Sequence, residues 1–302
     1  MRFLTGVYEN STFVGVVPPF NTNVCINLNE ADEKMNGQLT MPNDLHSCIQ
    51  LGEQFIEKVK EIQNWVQISV ENNKYVYPLS EVRILAPITR PTKNILCVGK
   101  NYREHAIEMG SVEDIPKHIM MFTKAPTTVI GHLDFIDRHS NVTEQLDYEG
   151  ELAVIIGKKG KEIKEEEAYD YVFGYTILND ITARDLQSKH KQFFLGKSLD
   201  TSCPMGPVIV AKEAIPNPEQ LSIETRVNGE VRQKSNTDQM IFTIPNIIAT
   251  ISKGMTLEPG DIIATGTPAG VGKGFKPPRF LQTGDVIEVK IEQIGSLVNE
   301  VK

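Results

Sequence analysis

The stretch LDYEGELAVIIG, Leu146 to Gly157, combines a covered strand with a row of acids. Residues 152–156 (LAVII) are apolar at every position, which is typical of a strand buried on both faces of a sheet. Glu149 and Glu151 stand two apart, so their side chains lie on the same face of an extended chain. Buried carboxylates are costly unless a cation neutralises them. The stretch therefore predicts a covered sheet with a divalent cation near one end.

Glu149 and Glu151 have a simpler interpretation, because charged residues that alternate along a strand more often mark the face of a sheet that is exposed to solvent. A second apolar strand, VFGYTILND, favours the cation, since it ends in Asp180 and precedes a helix that we expect Thr182 to cap. Glu149, Glu151 and Asp180 would form a partial oxygen shell with open positions, which suits Mg²⁺ or Mn²⁺. A helix N-cap is the competing interpretation of Asp180.

The stretch CVGKNYREHAIEMG, Cys97 to Gly110, predicts a strand followed by a short helix. His105 and Glu108 are three apart and share one helix face, so they can hydrogen-bond each other. This spacing suits a histidine general base held by a carboxylate. From spacing alone, an exposed pair on a surface helix is the more frequent arrangement.

Two further stretches carry groups suited to an anionic ligand. FFLGKSLDTSCPMGP places Lys197 in a Gly-Lys-Ser turn, where its ammonium can neutralise a substrate carboxylate, although most lysines only solubilise a surface. IIATGTPAGVGKG is not a Walker A loop, because Gly274 follows Lys273 and Thr267 stands where a glycine is required. The backbone N–H groups of Gly266 and Thr267 can still face a small anion.

The chain divides near the segment LAPITRPTKN, which Pro87 and Pro91 stiffen. Residues 1–88 mix short strands with a helical segment, LHSCIQLGEQFIEKVKEIQNWV, and predict a small N-terminal α+β domain. Residues 89–302 are rich in short strands, with Asn228-Gly229 as a type I′ hairpin signal. Numerous strands without regularly alternating helices favour a β-rich α+β fold.

The bulk properties exclude several classes of protein. A net charge of −8 over 302 residues argues against nucleic-acid binding. No apolar run reaches the roughly eighteen residues of a membrane span, and the first residues lack the apolar core of a signal peptide. The four cysteines are scattered without zinc-ligand spacing. We expect a cytoplasmic protein whose partner is a small molecule or a metal ion.

Four motifs taken in order, DYEGELAVIIGK, GYTILNDITARDLQ, GKSLDTSCPMGP and ATGTPAGVG, closely resemble the fumarylacetoacetate hydrolase family over about residues 92–295. Within it the sequence is most similar to bacterial members related to acylpyruvate hydrolases and oxaloacetate decarboxylases. The resemblance implies a mixed β-sandwich roll, a small N-terminal domain whose own partner is unknown, and a homodimer.

The resemblance also implies roles for individual residues. Glu149, Glu151 and Asp180 match Mg²⁺ or Mn²⁺ ligands, and His105 with Glu108 matches a catalytic pair on a lid helix. Lys197 matches an active-site lysine. Gln187 and Thr267 match positions that contact substrate. Lys100, a further proposed substrate contact, stands where related hydrolases often have Arg, and Gly266 adjoins Thr267 in the glycine-rich turn. Asp147 matches no ligand position and is interpreted as a supporting residue.

The implied substrates are small 2-oxo acids. Chelation of the C1 carboxylate and C2 carbonyl would let the C3–C4 bond break to a metal-bound pyruvate enolate. Oxaloacetate would then lose CO₂, and an acylpyruvate would need water activated by His105. The predicted activity is oxaloacetate decarboxylation with acylpyruvate hydrolysis. The alternatives are a hydroxymuconate or 2-hydroxyhepta-2,4-diene-1,7-dioate isomerase, and a binding or scaffold protein that retains the site.

Overall fold

The computed structural model describes residues 1–68 and 70–302 of the chain. Within these ranges a large central sheet carries a smaller sheet on one face and N-terminal helices on the other. Both antiparallel and parallel strand pairs occur in these sheets. The predicted β-rich α+β sandwich with mixed sheets is confirmed.

The described ranges contain nineteen β-strands. In chain order they are β1 Arg2–Tyr8, β2 Ser11–Val17, β3 Val24–Asn27, β4 Val76–Pro78, β5 Arg83–Ile84, β6 Ile95–Gly99, β7 Met120–Lys124, β8 Val129–Ile130, β9 Phe135–Ile136, β10 Leu146–Asp147, β11 Gly150–Ile156, β12 Val172–Asn179, β13 Thr182–Ala183, β14 Cys203–Ala211, β15 Ser222–Val227, β16 Glu230–Asn236, β17 Ile262–Ala264, β18 Val286–Ile291 and β19 Gly295–Val301.

Seven α-helices lie in the same ranges. They are α1 Leu28–Asn36, α2 Leu45–Gln50, α3 Glu53–Ile68, α4 Arg103–Glu108, α5 Arg184–His190, α6 Phe194–Lys197 and α7 Ile244–Ser252. No helix in the described part of the chain has both the length and the apolar character needed to cross a lipid bilayer.

Strand β11, which was predicted to be covered on both faces, lies inside the large sheet. That sheet runs β4-β3-β2-β1-β14-β12-β11-β17-β6-β7, with β5 beside β1 and β8 beside β14. Successive β11 side chains point to opposite faces. Leu152 and Val154 pack toward the small sheet, β16-β15-β18-β19-β9, and Ala153 and Ile155 pack into the core beneath the N-terminal helices.

The N-terminal segment shares both its sheet and its core with the rest of the chain. Strand β1 pairs with β14, with Arg2 opposite Val210, so the large sheet continues across the predicted boundary at residue 88. The Phe3 ring lies 5.2 Å from the ring centroid of Phe55 on α3 and 5.4 Å from that of Phe173 on β12. That residues 1–88 and 89–302 are two separate domains stays a prediction.

Local predictions succeed where the turn chemistry is strong. Asn228 and Gly229 have φ values of 52° and 79°, as the hairpin signal requires. Thr243 caps α7 by accepting a hydrogen bond from Asn246 N–H.

The predicted cap at Thr182 is wrong, because Thr182 belongs to β13 and its hydroxyl donates to the Asp180 carbonyl at 2.8 Å. Helix α5 begins at Arg184 without a side-chain cap.

Replacing Phe3 by Ala is expected to lower the free energy of unfolding by about 3–5 kcal/mol, the usual cost of truncating a buried aromatic ring. Since Phe3 packs against both segments, thermal unfolding should remain one transition, shifted for the whole chain. Phe20→Ala is the control, because that ring is 52% exposed. Two separate transitions, with only the first shifted, would instead support an independently folding N-terminal domain.

Candidate active site

Pairing of β11 with β12 brings three carboxylates together. Gly150 stands opposite Asn179, and Asp180 N–H donates to the Glu149 carbonyl at 2.8 Å. The Glu149, Glu151 and Asp180 side chains offer oxygen atoms that all lie within 4.8 Å of one another. All three side chains are buried. The structure thus assembles the predicted acid triad at the end of two covered strands.

Three buried cations surround two members of this triad. Lys197 Nζ donates to Glu149 Oε2 at 2.7 Å and to Asp180 Oδ2 at 2.5 Å. Lys124 Nζ donates to Asp180 Oδ1 at 2.7 Å, and Arg184 Nη1 lies 2.6 Å from Glu149 Oε1. Burial alone would raise the pKa of Glu149, but Lys197 and Arg184 outweigh burial and hold that pKa well below its usual range.

Glu151 differs from its two neighbours because no cation among the described residues pairs with it. Its carboxylate accepts the N–H of Gly266 at 2.8 Å. Burial raises the pKa of Glu151, and the charges of Asp180 and Glu149 raise it further. An ionised carboxylate here is therefore costly until a cation approaches.

The donor atoms and the charge of the triad suit a metal ion. Four buried acids, Asp147, Glu149, Glu151 and Asp180, meet three buried bases, Lys124, Arg184 and Lys197. One negative charge is left over, and it belongs to the carboxylate that lacks a cation. Hard divalent cations prefer oxygen ligands of this type. The triad therefore fits such an ion in both donor chemistry and charge.

A histidine held by a carboxylate lines the same cavity. His105 and Glu108 lie on α4, with 3.3 Å between His105 Nδ1 and Glu108 Oε2. Glu108 Oε1 accepts the N–H of Gly270 at 2.9 Å. The His105 side chain is only 6% exposed, so the pair is not the exposed surface pair that spacing alone favours. With Nδ1 held by Glu108, Nε2 is the nitrogen left for proton transfer.

One segment, residues 265–274, fixes the carboxylates of three different elements; we call it the glycine loop. Besides the bonds to Glu151 and Glu108, it donates two N–H groups to Asp147, from Gly272 at 2.7 Å and from Lys273 at 3.0 Å. Gly270 has a φ of 104°, and a Cβ there would overlap the Arg232 carbonyl. The predicted anion-binding N–H of Gly266 is engaged by a carboxylate of the protein itself.

Asp147 has the supporting position assigned to it from the sequence, and the group it supports is Arg184. Arg184 Nε donates to Asp147 Oδ2 at 2.9 Å, and Nη1 approaches Gln187 Oε1 at 3.3 Å. The guanidinium is buried, and its Nη2 has no hydrogen-bond partner among the described residues. A buried donor of this kind is costly unless a ligand satisfies it.

These groups line one cavity of about 180 Å³. Seven of the predicted site residues form its wall: Lys100, His105, Glu149, Glu151, Gln187, Lys197 and Thr267. The other three stand behind wall residues, since Glu108 bonds His105, Asp180 bonds Lys197 and Gly266 bonds Glu151. The structure thus brings all ten residues to one place, and their individual roles stay predictions.

Sequence reasoning missed three cations at this site. Lys124 lies on β7, 56 positions before the Asp180 that it contacts, and nothing local in its sequence indicates the contact. Arg184, at the start of the helix after Asp180, suggests from the sequence only a surface ion pair; this interpretation is wrong, because Arg184 is buried and contacts Asp147 and Glu149. Lys273 was considered only as part of a phosphate loop, yet it also lines the cavity.

The cavity wall contains no cysteine, and all four thiols are buried elsewhere. Burial raises the pKa of Cys25, Cys48 and Cys203 to about 12 and that of Cys97 well above its usual value. We expect no reaction with a thiol reagent in the native protein and four equivalents after denaturation, measured by mass spectrometry. Modification that inactivates the native enzyme would show that a thiol reaches the site.

The fold and cavity define an enzyme with a buried acid triad that can bind a metal ion. Residues 94–302 match the fumarylacetoacetate (FAA) hydrolase C-terminal domain. The chain therefore belongs to the fumarylacetoacetate hydrolase family, whose members typically depend on a divalent metal.

Three relatives illustrate the range of the family. The chain is 56% identical over 302 residues, 100% of both proteins, to the oxaloacetate tautomerase YisK of Bacillus subtilis (strain 168). A fumarylacetoacetate hydrolase from Exiguobacterium antarcticum is 42% identical with a TM-score of 0.81, over 100% of this chain and 99% of the other. A 5-carboxymethyl-2-hydroxymuconate delta-isomerase from Mycobacterium smegmatis is 31% identical with a TM-score of 0.74, over 100% and 98%.

Proposed function

We propose that the protein interconverts the keto and enol forms of a 2-oxo acid of the oxaloacetate type. One observation carries the proposal: a histidine held by a carboxylate shares a small cavity with an acid triad suited to a divalent cation. Keto–enol conversion needs a base at C3 and an electron sink at C2. The name of the 56% identical relative, an oxaloacetate tautomerase, supports the same reaction.

The proposed cofactor is Mg²⁺ or Mn²⁺, held by Glu149, Glu151 and Asp180. When bound, the ion would polarise the C2 carbonyl of a substrate that chelates it through that oxygen and the C1 carboxylate. Glu151 supplies the charge for the ion, and Gly266 fixes the orientation of its carboxylate. Lys124 bonds Oδ1 of Asp180 and Lys197 bonds Oδ2, so the Asp180 carboxylate is fixed beside Glu149.

His105 takes the proton in this mechanism. Its Nε2 takes a proton from C3 as the C2–C3 bond gains double-bond character, and the protonated ring then gives that proton, or one exchanged with solvent, to the C2 oxygen to complete the enol. Glu108 holds Nδ1, so the tautomer of the ring is fixed and the imidazolium is stabilised while it carries the proton. The return of the proton to C3 gives the keto form. No covalent intermediate with the protein is required.

Other cavity residues would stabilise the negative charge that develops on the substrate. Arg184 Nη2 and the Lys197 ammonium are buried donors held in place by neighbouring carboxylates, and preorganised donors of this kind stabilise developing charge. Lys100, Gln187 and Thr267 complete the proposed contacts with substrate. Thr267 Oγ1 already donates to the Gly150 carbonyl at 2.9 Å, which fixes its position next to the triad.

Decarboxylation of oxaloacetate is the second candidate, with acylpyruvate hydrolysis as a related reaction. The acid triad supports it, because CO₂ loss requires only an electron sink at C2 and no nucleophile. Water attack on an acylpyruvate would again use the His105 base. A dienoate isomerase, as in the mycobacterial relative, would use the same proton transfer on a longer substrate.

The test measures proton transfer and bond cleavage on the same samples. NMR follows deuterium exchange at C3 of oxaloacetate in D₂O, and a coupled dehydrogenase assay follows pyruvate. Each is run with Mg²⁺, with Mn²⁺ and with chelator, against the spontaneous rate. Exchange that is fast, metal-dependent and much faster than pyruvate release supports the tautomerase. Pyruvate release at the rate of exchange would favour the decarboxylase, and turnover of hydroxymuconates alone would favour the isomerase.

Homodimeric assembly and a cytoplasmic location stay predictions from the sequence. Sedimentation velocity on the purified full chain tests the first, and cell fractionation tests the second.

A further inference from the structure

The cavity wall carries four cationic side chains, and three of them are already paired. Lys197 contacts Glu149 and Asp180, and Arg184 contacts Asp147 and Glu149. Lys100 Nζ lies 3.7 Å from Asp114 Oδ1. In the part of the chain that the structure describes, the ammonium of the fourth cation, Lys273, has neither an ion pair nor a hydrogen bond.

The backbone of Lys273 is nevertheless held firmly. Its N–H donates to Asp147 Oδ2 at 3.0 Å, and the preceding Gly272 bonds both Asp147 Oδ1 and the N–H of Arg279. A Cβ at Gly272 would overlap the Arg279 carbonyl. The glycine loop thus presents the Lys273 side chain from a fixed anchor, while its ammonium stays available.

The surroundings of Lys273 favour an anion. The side chain is half-buried at the cavity wall, where burial and the charge of Arg184 lower its pKa and outweigh the charge of Asp147, which raises it. Arg184 Nη2 also has no partner. Lys273 and Arg184 repel each other, and each has a donor without a hydrogen-bond partner among the described residues. A carboxylate that contacts both would supply the missing hydrogen bonds and reduce the repulsion.

We propose that Lys273 binds the second carboxylate of a dicarboxylic 2-oxo acid, and so makes the enzyme prefer dicarboxylic over monocarboxylic substrates. The inference rests on the proposed function, in which the C1 carboxylate and the C2 oxygen are held at the acid triad. A four-carbon substrate then directs its C4 carboxylate away from the triad, toward the wall that Lys273 and Arg184 share. A monocarboxylic substrate leaves that wall without a partner.

The test uses pairs of ligands that differ only in the second carboxylate. Malate and 2-hydroxybutanoate are stable 2-hydroxy acids with the same chelating unit, and their binding to the metal-loaded full chain is measured by calorimetry. Lys273→Met should weaken malate binding roughly 10- to 100-fold, the usual range for a charged hydrogen bond in a partly dry site, and leave 2-hydroxybutanoate unchanged. Lys273→Arg should restore most of the malate affinity.

Lys276→Met is the matched control, since Lys276 is exposed three positions further along the same segment. Thermal unfolding shows whether Lys273→Met is folded. If it is not, Lys273→Gln replaces it in the same binding measurements. Equal affinity of the wild type for both acids, no binding of either, or an equal loss in Lys276→Met would each overturn the proposal.

Kinetics separates this inference from the proposed function. With oxaloacetate and 2-oxobutanoate as substrates for C3 exchange, Lys273→Met should raise KM for oxaloacetate alone, with kcat little changed. If the wild type exchanges neither substrate but still prefers malate through Lys273, the proposed function fails and the binding role stands. If exchange is fast and Lys273→Met changes both substrates equally, the function stands and the binding role fails.

Discussion

Glu151→Gln is expected to lower turnover of 2-oxo acids by roughly 10³-fold or more, because it removes the carboxylate whose charge is left for a metal ion. The variant should stay folded, since Gln keeps the shape of Glu and can still accept the Gly266 N–H. Calorimetry should show metal affinity reduced together with turnover. Glu144→Gln is the control, because that side chain is 84% exposed. Full, chelator-sensitive activity in Glu151→Gln would remove Glu151 from the metal site.

The same variant is expected to be more stable than the wild type when both are kept metal-free at neutral pH. Folding raises the pKa of Glu151, so its contribution to stability is fully present below the unfolded pKa of about 4.3 and is lost as pH rises through the folded pKa. Gln has no such loss. Thermal unfolding in chelator across a pH series should therefore show the advantage of the variant growing with pH. A constant difference at every pH would contradict this account.

His105→Ala is expected to lower C3 exchange by roughly 10²- to 10⁴-fold, the usual contribution of a positioned general base. Pyruvate release from oxaloacetate should fall much less, since CO₂ loss removes no proton from C3. Glu108→Gln should cause a smaller loss of exchange, because the imidazole keeps a partner but loses the charge that stabilises its protonated form. Glu104→Gln, on the exposed side of α4, is the matched control. Equal losses of exchange and cleavage in His105→Ala would contradict this division of roles.

The acid triad was predictable because its signals are local. The i, i+2 spacing of Glu149 and Glu151 fixes a shared face, and the apolar run after them indicates a covered strand. Asp180 ends the next such strand, and neighbouring strands that are close in sequence often pair. His105 and Glu108 share a helix turn, so their contact also follows from spacing, whereas their burial does not.

The supporting contacts could not be predicted in the same way. Lys124 reaches Asp180 because β7 and the end of β12 lie close together in the folded chain, and no periodic pattern in the sequence indicates that contact. The glycine loop acts through backbone N–H groups, which every residue type except proline carries, so its bond to Glu151 has no sequence signal. The pairing of β1 with β14 could not be predicted either, because it depends on which strand edge of the sheet is open in the folded chain.

That pairing of β1 with β14 has a consequence for synthesis on the ribosome. Strands β1 and β2 can form their hairpin as soon as they emerge, and β5 covers Gly6 and Val7 on the other edge of β1. The rest of that edge is completed by residues 203–211, about 200 positions later. At roughly 5–20 residues per second, this part of the β1 edge stays unpaired for about 10–40 seconds. Unpaired edges of this kind favour association with other chains. Nascent chains of this protein are therefore expected to need a chaperone more than its finished fold suggests.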